Sequence, residues 1–599
     1  MLYFLLVDRF SDGKEDGYRD ATGQLVTGTT PVFQAADDGN AVQTDSDAAA
    51  WRDAGGGFVG GNLEGLRSKL GYLKRLGVTA VWVSPVLKQA VTANSYHGYA
   101  IQDFLEVDPH FGTPEEFRSF VAEAHALGIR VVLDIILNHT GDVFAYRPDR
   151  YPRGGTAPLD PRWDGAPYEV MGFRDARGNP TLPFGPVDLD AHPDAYPDGA
   201  VWPAELQAAG VFTTRGHIQN WDYYPEFVEG DFDVLRDVYH GERALDADGA
   251  ENPAAYRPSP ALRALCHIYQ YWLAYLDLDG YRVDTVKHMD LGATRFFSSV
   301  MHEFAESLGK DNFYLIGEIT GGRDRAFTTR EVTGLDAALG IDDLQDDLEY
   351  IAKGYKNPSD YFDLFRNSPD LDRGGHRWFR DKVVTQIDDH DQIRKGNAKA
   401  RFCAGGGENP RLLVPALALN LLTLGIPCLY YGEEQLFDGQ GDNDRYIREA
   451  MFGGQFGAFR SKGRHFFRED AGIYARVAEL LALRRAEPAL RRGRQYLRPI
   501  SGDGASFGFP TVLGGRMRSV VPWSRLFNDR ELVVAINTDP DQPRGAWVTI
   551  DDFLHATGDR LTCLYSTDAS EVGRTVSVEA RNGKAVWVTV PAAGVVVYG

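Results

Sequence analysis

Within Gly280-Tyr-Arg-Val-Asp-Thr-Val-Lys-His288, residues 281–284 alternate apolar and charged side chains. That is the period of a strand whose alternate side chains share a face. Arg282 and Asp284 then point the same way, and a guanidinium two residues from a carboxylate favours its ionised form. A held, ionised carboxylate at a strand's end suits covalent attack at a sugar carbon. Alone, the pair reads more readily as an ion pair on a solvated strand end. Glu318 follows the apolar run Phe313-Tyr-Leu-Ile316 and has no cation beside it in sequence, which favours protonation. His139 ends another apolar run, and His390 and Asp391 end Asp388-Asp-His-Asp391. Each has a plain structural reading, as a core histidine, a cap or a turn residue. Three carboxylates and two histidines around one mouth suit acetal cleavage, because an oxocarbenium-like state is cationic. One carboxylate must attack and another must carry a proton, so their surroundings must differ.

These residues follow strand-like runs that alternate with helical periodicity. Leu2 to Val7 is a buried strand, and Leu63, Leu66, Leu70, Leu73 and Leu76 recur at helical spacing. Strands follow at 78–83 and 129–137, with a helix over 115–127 between them. Alternation pauses between about 140 and 225, where Pro, Gly, Asp and aromatics crowd together, too long a stretch for a simple connection. It resumes through the strand holding Asp284, 313–316, a weaker strand near 335–339, 382–387 and 427–431, with helices over 260–276, 294–308, 410–423 and 472–486. Eight strand candidates in βα order predict an α/β fold, a closed (β/α)₈ TIM barrel with a small domain inserted after strand three. Beyond about 490, short β-rich runs separated by Gly, Asp and Pro predict a C-terminal antiparallel β-sandwich. The expected division is barrel over 1–139, inserted domain over 140–225, barrel again over 226–488 and sandwich over 489–599.

The bulk composition, 43% hydrophobic and 25% charged, is that of an ordinary globular chain. Sixty-three basic against 85 acidic residues leave a net charge of −22, which argues against nucleic acid or an anionic membrane as partner. Cys266, Cys403, Cys428 and Cys563 are scattered, without zinc spacing. Met1 leads into an apolar strand with no basic n-region or cleavage site, which predicts a cytoplasmic chain, or a secreted or periplasmic one if a leader was removed.

At this point the sequence resembles the α-amylase family of glycoside hydrolases. DIILNH at 134–139, GYRVDTVKH at 280–288, GE at 317–318 and DDHD at 388–391 look like its four signature regions, in order. GGNLEGL at 60–66, SPV at 84–86, YHGY at 96–99, FGT at 111–113, GIPCLYYGEEQ at 425–435 and NDRYIRE at 443–449 extend the likeness over about 1–486. The resemblance implies that Asp284 is the nucleophile, Glu318 the general acid/base and Asp391 the transition-state stabiliser. It implies that His97, Tyr99, His139, Arg282, His390, Asp444 and Arg448 hold the sugar on the non-reducing side of the cleaved bond. Lys287 and His288 match a pair used on the leaving-group side by α-amylases and cyclodextrin glucanotransferases, which implies an α-1,4-glucan substrate. The expected activity is retaining hydrolysis of starch, maltodextrins or related α-glucans. The alternatives are a 4-α-glucanotransferase and a non-catalytic carbohydrate-binding relative.

Three departures stand out. Asp389 replaces the usual Asn of the fourth region, and Gly60-Gly61-Asn62 replaces the usual GGD. The motif that supplies a calcium-binding Asp is matched only by Tyr224-Pro-Glu226-Phe. The resemblance thus implies a calcium ion held by Asn138, Glu226 and the backbone carbonyl of His288. The aromatics Trp202, Phe212, Trp221, Tyr223 and Tyr224 read either as walls of acceptor subsites or as the core of the inserted domain.

Overall fold

The computed structural model describes residues 1–149, 161–208, 210–249, 251–365 and 381–599. Eight parallel strands form one sheet: β1 (Leu2–Leu5), β2 (Ala80–Val83), β3 (Arg130–Ile135), β4 (Gly280–Val283), β5 (Tyr314–Gly321), β6 (Ala337–Ile341), β7 (Val384–Thr385) and β8 (Ile426–Tyr430). They lie in the order 6-5-4-3-2-1-8-7. A parallel bridge from Ala338 to Val383 closes the ring, with Ala338 N–H donating to Lys382 O. This is the expected (β/α)₈ barrel. Strand β1 is shorter than the apolar run, because Val7–Phe10 turns into a helical turn that buries Asp8 and Arg9.

The helices follow from capping and apolar stripes. Helix α3 (Pro114–Ala126) opens on a Thr113/Glu116 capping box with Pro114 in its first turn. Helix α4 (Pro260–Leu276) is capped by Ser259 and buries Leu262, Leu265, Tyr269, Trp272 and Leu276 against the barrel. The single helix expected over 63–76 is instead two, α1 (Leu63–Ser68) and α2 (Leu70–Leu76), broken at Lys69. The Lys69 ammonium is fully buried, 2.8 Å from Glu15 and over the ring of Tyr18, so its charge is drawn inward at the break.

After β3 the chain leaves the barrel. His139–Thr140 pairs antiparallel with Arg236–Asp237, and Phe144–Tyr146 with Val170–Phe173. The pairing thus continues beyond residue 225. Phe144, Phe173, Phe184 and Phe212 pack together there. Phe212 and Trp202 are buried in this segment, whereas Trp221, Tyr223 and Tyr224 are exposed.

The C-terminal region is two antiparallel sheets, one of six strands and one of three, with Val533, Ala535, Val548, Val586, Val588 and Val596 in the core they share. The opposite face of the larger sheet, including Trp523, Val534 and Ile536, joins the barrel core. All four cysteines are free and buried. Among the described residues no helix is long and apolar enough to cross a membrane.

Candidate active site

Strand register brings the polar residues together. Arg282 on β4 lies directly opposite Asp134 on β3, and Tyr281 and Val283 point outward, with the Tyr281 hydroxyl donating to Tyr269 O of α4 at 2.6 Å. Gly280 is required where β4 crosses β5, since a Cβ there would lie 2.3 Å from Tyr314 O. Inside the barrel the Arg282 guanidinium is 1% exposed and touches three carboxylates. Its Nη1 donates to Asp284 Oδ1 at 2.5 Å and Asp134 Oδ1 at 2.9 Å, while Nη2 lies 3.0 Å from Glu318 Oε2. Asp134 Oδ2 also accepts from Trp82 Nε1 at 3.0 Å and Tyr99 Oη at 2.9 Å, and this fixes the network from behind.

Two expectations about charge need correcting. Glu318 does have an adjacent cation, the other end of Arg282. Asp284 is not held low by Arg282, because burial outweighs the guanidinium and pushes its carboxyl up to about 6, with help from the neighbouring Asp134 charge. Burial pushes Glu318 further, to about 8, against the lowering by Arg282 and with added repulsion from Asp284 and Asp391. The order expected for an attacking carboxylate and a protonated acid is therefore kept, although its cause is desolvation.

Asp391 is held from the other side. Arg448 Nη2 donates to its Oδ1 at 2.5 Å and His390 Nε2 lies 3.1 Å from its Oδ2. Burial keeps the His390 imidazole well below its ordinary pKa, and its Nε2 hydrogen-bonds with the Tyr99 hydroxyl at 2.8 Å. Arg448 also donates to His390 O at 2.8 Å and lies 3.5 Å from Asp444, whose carboxylate pairs with Lys399 at 2.9 Å. Asp389, the departure from the usual Asn, is spent locally. Its Oδ1 accepts from the backbone of Asp391 (2.7 Å) and Gln392, and its Oδ2 accepts from the Gln345 and Gln386 amides. A carboxylate meets all four donors, which explains an acid at this position.

Tyr99 lies nearly parallel to His390 and His97, with centroids 5.6 and 5.5 Å away. His97 Nδ1 accepts from Tyr99 N–H, leaving Nε2–H to donate elsewhere. His139 sits behind this row, its Nε2 donating to Tyr99 O at 3.2 Å. Lys287 lies in an adjoining cleft, its ammonium 2.9 Å from Asp222. His288 is buried, its ring N–H donating to Phe227 O at 2.7 Å.

The metal expectation is altered by the geometry. Glu226 is unsuited to it, because its Oε1 accepts from the backbone N–H groups of Gln219 (2.6 Å) and Asn220 (2.8 Å), holding the turn ahead of it. Asp237 lies opposite His139, and Val238 N–H donates to Asn138 O. Both carboxylate oxygens of Asp237 and both polar side-chain atoms of Asn138 are buried without a hydrogen bond of normal geometry. Burial and the nearby Asp231 push the Asp237 carboxyl well up, the state expected of an acid lacking a cation. Among the described residues no cluster of three or more His, Cys, Asp or Glu could hold a metal. Calcium also takes amide and backbone oxygens, however, and the Asn138–Asp237 pair suits that chemistry.

Sequence reasoning missed Asp134, Asp237, Asp222 and Lys399. Asp134 alone carried a signal, an acid in the middle of Val131 to Leu137.

The family described as alpha amylase, catalytic domain, matches residues 4–154. The chain is 29% identical to the alpha-amylase of Streptomyces lividans, over 90% of this chain and 56% of the relative. It is 27% identical to the cyclomaltodextrin glucanotransferase of Geobacillus stearothermophilus, over 74% of this chain and 52% of the relative. The chain thus spans about half the length of these curated relatives. Its fold matches a solved cyclomaltodextrin glucanotransferase with a three-domain ABC distribution at a TM-score of 0.64 and 22% identity, covering 100% of this chain and 98% of that one. The ordered signature regions, the barrel that brings them together and these likenesses all point to the α-amylase family of glycoside hydrolases.

Proposed function

We propose that the chain cleaves α-1,4 linkages in starch, maltodextrins or related α-glucans with retention of configuration. The observation that carries this reading is Arg282 touching both Asp284 and Glu318. It brings the two carboxylates to one cation in one buried pocket, in keeping with the close pair that a retaining double displacement needs. In the first step Asp284 attacks the anomeric carbon and the bond to the leaving oxygen breaks as Glu318 delivers its proton there. In the second step Glu318, now ionised, takes a proton from water, which displaces Asp284. Asp391 and Asp284 flank the cationic transition state, with Asp134 behind them on Arg282. The neutral His97 Nε2–H and the Tyr99 ring are placed to hold the glycone.

The second reading, 4-α-glucanotransfer, needs a sugar hydroxyl in place of water in the second step. The likeness to cyclomaltodextrin glucanotransferases, in sequence and in fold, supports it. A product profile on low-millimolar maltoheptaose separates the two. Hydrolysis gives new reducing ends in proportion to cleavage; transfer gives longer or cyclic products with little new reducing sugar.

Calcium is proposed as a structural ion held by Asn138, Asp237 and the carbonyl of His288. Bound there, it would neutralise Asp237 and fasten the inserted segment to the barrel loop after β3.

A further inference from the structure

We propose that Asp222 is a positioning residue for the leaving-group half of the cleft, fixing Lys287 where it meets the first sugar beyond the cleaved bond. The inference rests on the α-glucan reading above. A cleft of about 790 Å³ is lined by Trp221, Asp222, Lys287, Thr320, Arg325 and Ile393, among others. Thr320 and Ile393 also line the pocket that holds Glu318 and Asp391, so the two spaces share a wall. Thr320 follows Glu318 by two residues on β5 and leads outward from the proton donor, which makes this the leaving-group side.

In this cleft one carboxylate serves two cations. Asp222 Oδ1 lies 2.9 Å from Lys287 Nζ and 3.6 Å from Arg325 Nη1. The Lys287 side chain is only 12% exposed and the Asp222 side chain 73%, so the cation rests against the wall and its partner closes the rim. The three residues come from the inserted segment, the turn after β4 and helix α5 (Arg323–Thr333). Without Asp222 the flexible Lys287 ammonium and the Arg325 guanidinium would lose the carboxylate they share, and Lys287 would leave the wall. Trp221 stands beside it, half exposed, its indole set edge-on against Phe232 (5.0 Å) and His288 (5.5 Å). A ring face beside the carboxylate that fixes the cation suits a pyranose, whose apolar face stacks while its hydroxyls accept from Nζ.

The Asp222 side chain is 73% exposed at the rim, where an ion pair adds little to stability, so Asp222→Asn leaves the fold intact. The test compares two donors, maltoheptaose and α-maltotriosyl fluoride. The fluoride places sugars on the glycone side and none beyond the cleaved bond. In Asp222→Asn, kcat/KM on maltoheptaose falls about tenfold, as for loss of a hydrogen bond from a charged group, while that on the fluoride is unchanged. Adding Asp222→Asn to Lys287→Ala produces no further loss. Equal loss on both donors, or loss on neither, overturns the assignment while the α-glucan reading stands. A wild-type chain inert to both donors removes the α-glucan reading and this inference with it.

Discussion

Nη2 of Arg282 lies 3.0 Å from Oε2 of Glu318. The same guanidinium pairs with Asp284, so the group that steadies the proposed nucleophile also bears on the proposed proton donor. With a cation shared, desolvation and mutual repulsion decide which acid keeps its proton, and Glu318 keeps it.

The first prediction is the pH profile of kcat/KM on maltoheptaose. Asp284, raised to about 6, must be ionised to attack, so activity falls as the pH drops below that value. Glu318, raised to about 8, must be protonated to donate, so activity falls as the pH climbs above it. A bell between these limbs is expected. A profile flat from pH 5 to 9 would sink the assignment.

Asp284→Asn keeps the side chain's shape but removes the nucleophile. Turnover should fall by at least about 10³-fold while maltoheptaose still binds by calorimetry. A variant retaining a tenth of the wild-type rate would take Asp284 out of that role.

Asp134→Asn tests the support behind Arg282. The Asp134 charge raises the Asp284 carboxyl, so its removal should move the acid limb to lower pH. The alkaline limb, set by Glu318, should move less. The melting temperature should also drop, because a buried guanidinium loses one partner, a change that costs about 3–5 kcal/mol when the group is deleted outright and less for an isosteric amide. An unmoved acid limb would make Asp134 merely structural.

Calcium bound at the proposed Asn138–Asp237 site would stabilise the folded state by mass action, by about 2.7 kcal/mol at one hundred times Kd. Chelation should lower the melting temperature of the wild type and of Glu226→Gln, and leave Asp237→Ala unmoved. A wild type indifferent to chelation would remove the ion.

Much of this was legible in the sequence where one physical rule dominated. Continuous apolar runs marked the barrel strands, and period two placed Arg282 and Asp284 on one face. What escaped depended on contacts between distant segments. Helical spacing over Leu63 to Leu76 could not show that Lys69 breaks the helix to reach Glu15, 54 residues earlier. Local sequence showed Arg282 beside Asp284 but not beside Glu318, and it could not weigh burial against that charge. Glu226 looked like a metal ligand by its place in a motif. Only the fold shows its oxygen taken by two backbone amides, with Asp237 left buried and unpartnered.

The central claim is a double displacement through Asp284, and the anomer first released tests it most directly. Proton NMR of maltoheptaose cleavage, followed before mutarotation, should show the α-anomer of the new reducing end appearing first. The β-anomer appearing first would mean a single displacement by water, and would contradict the mechanism.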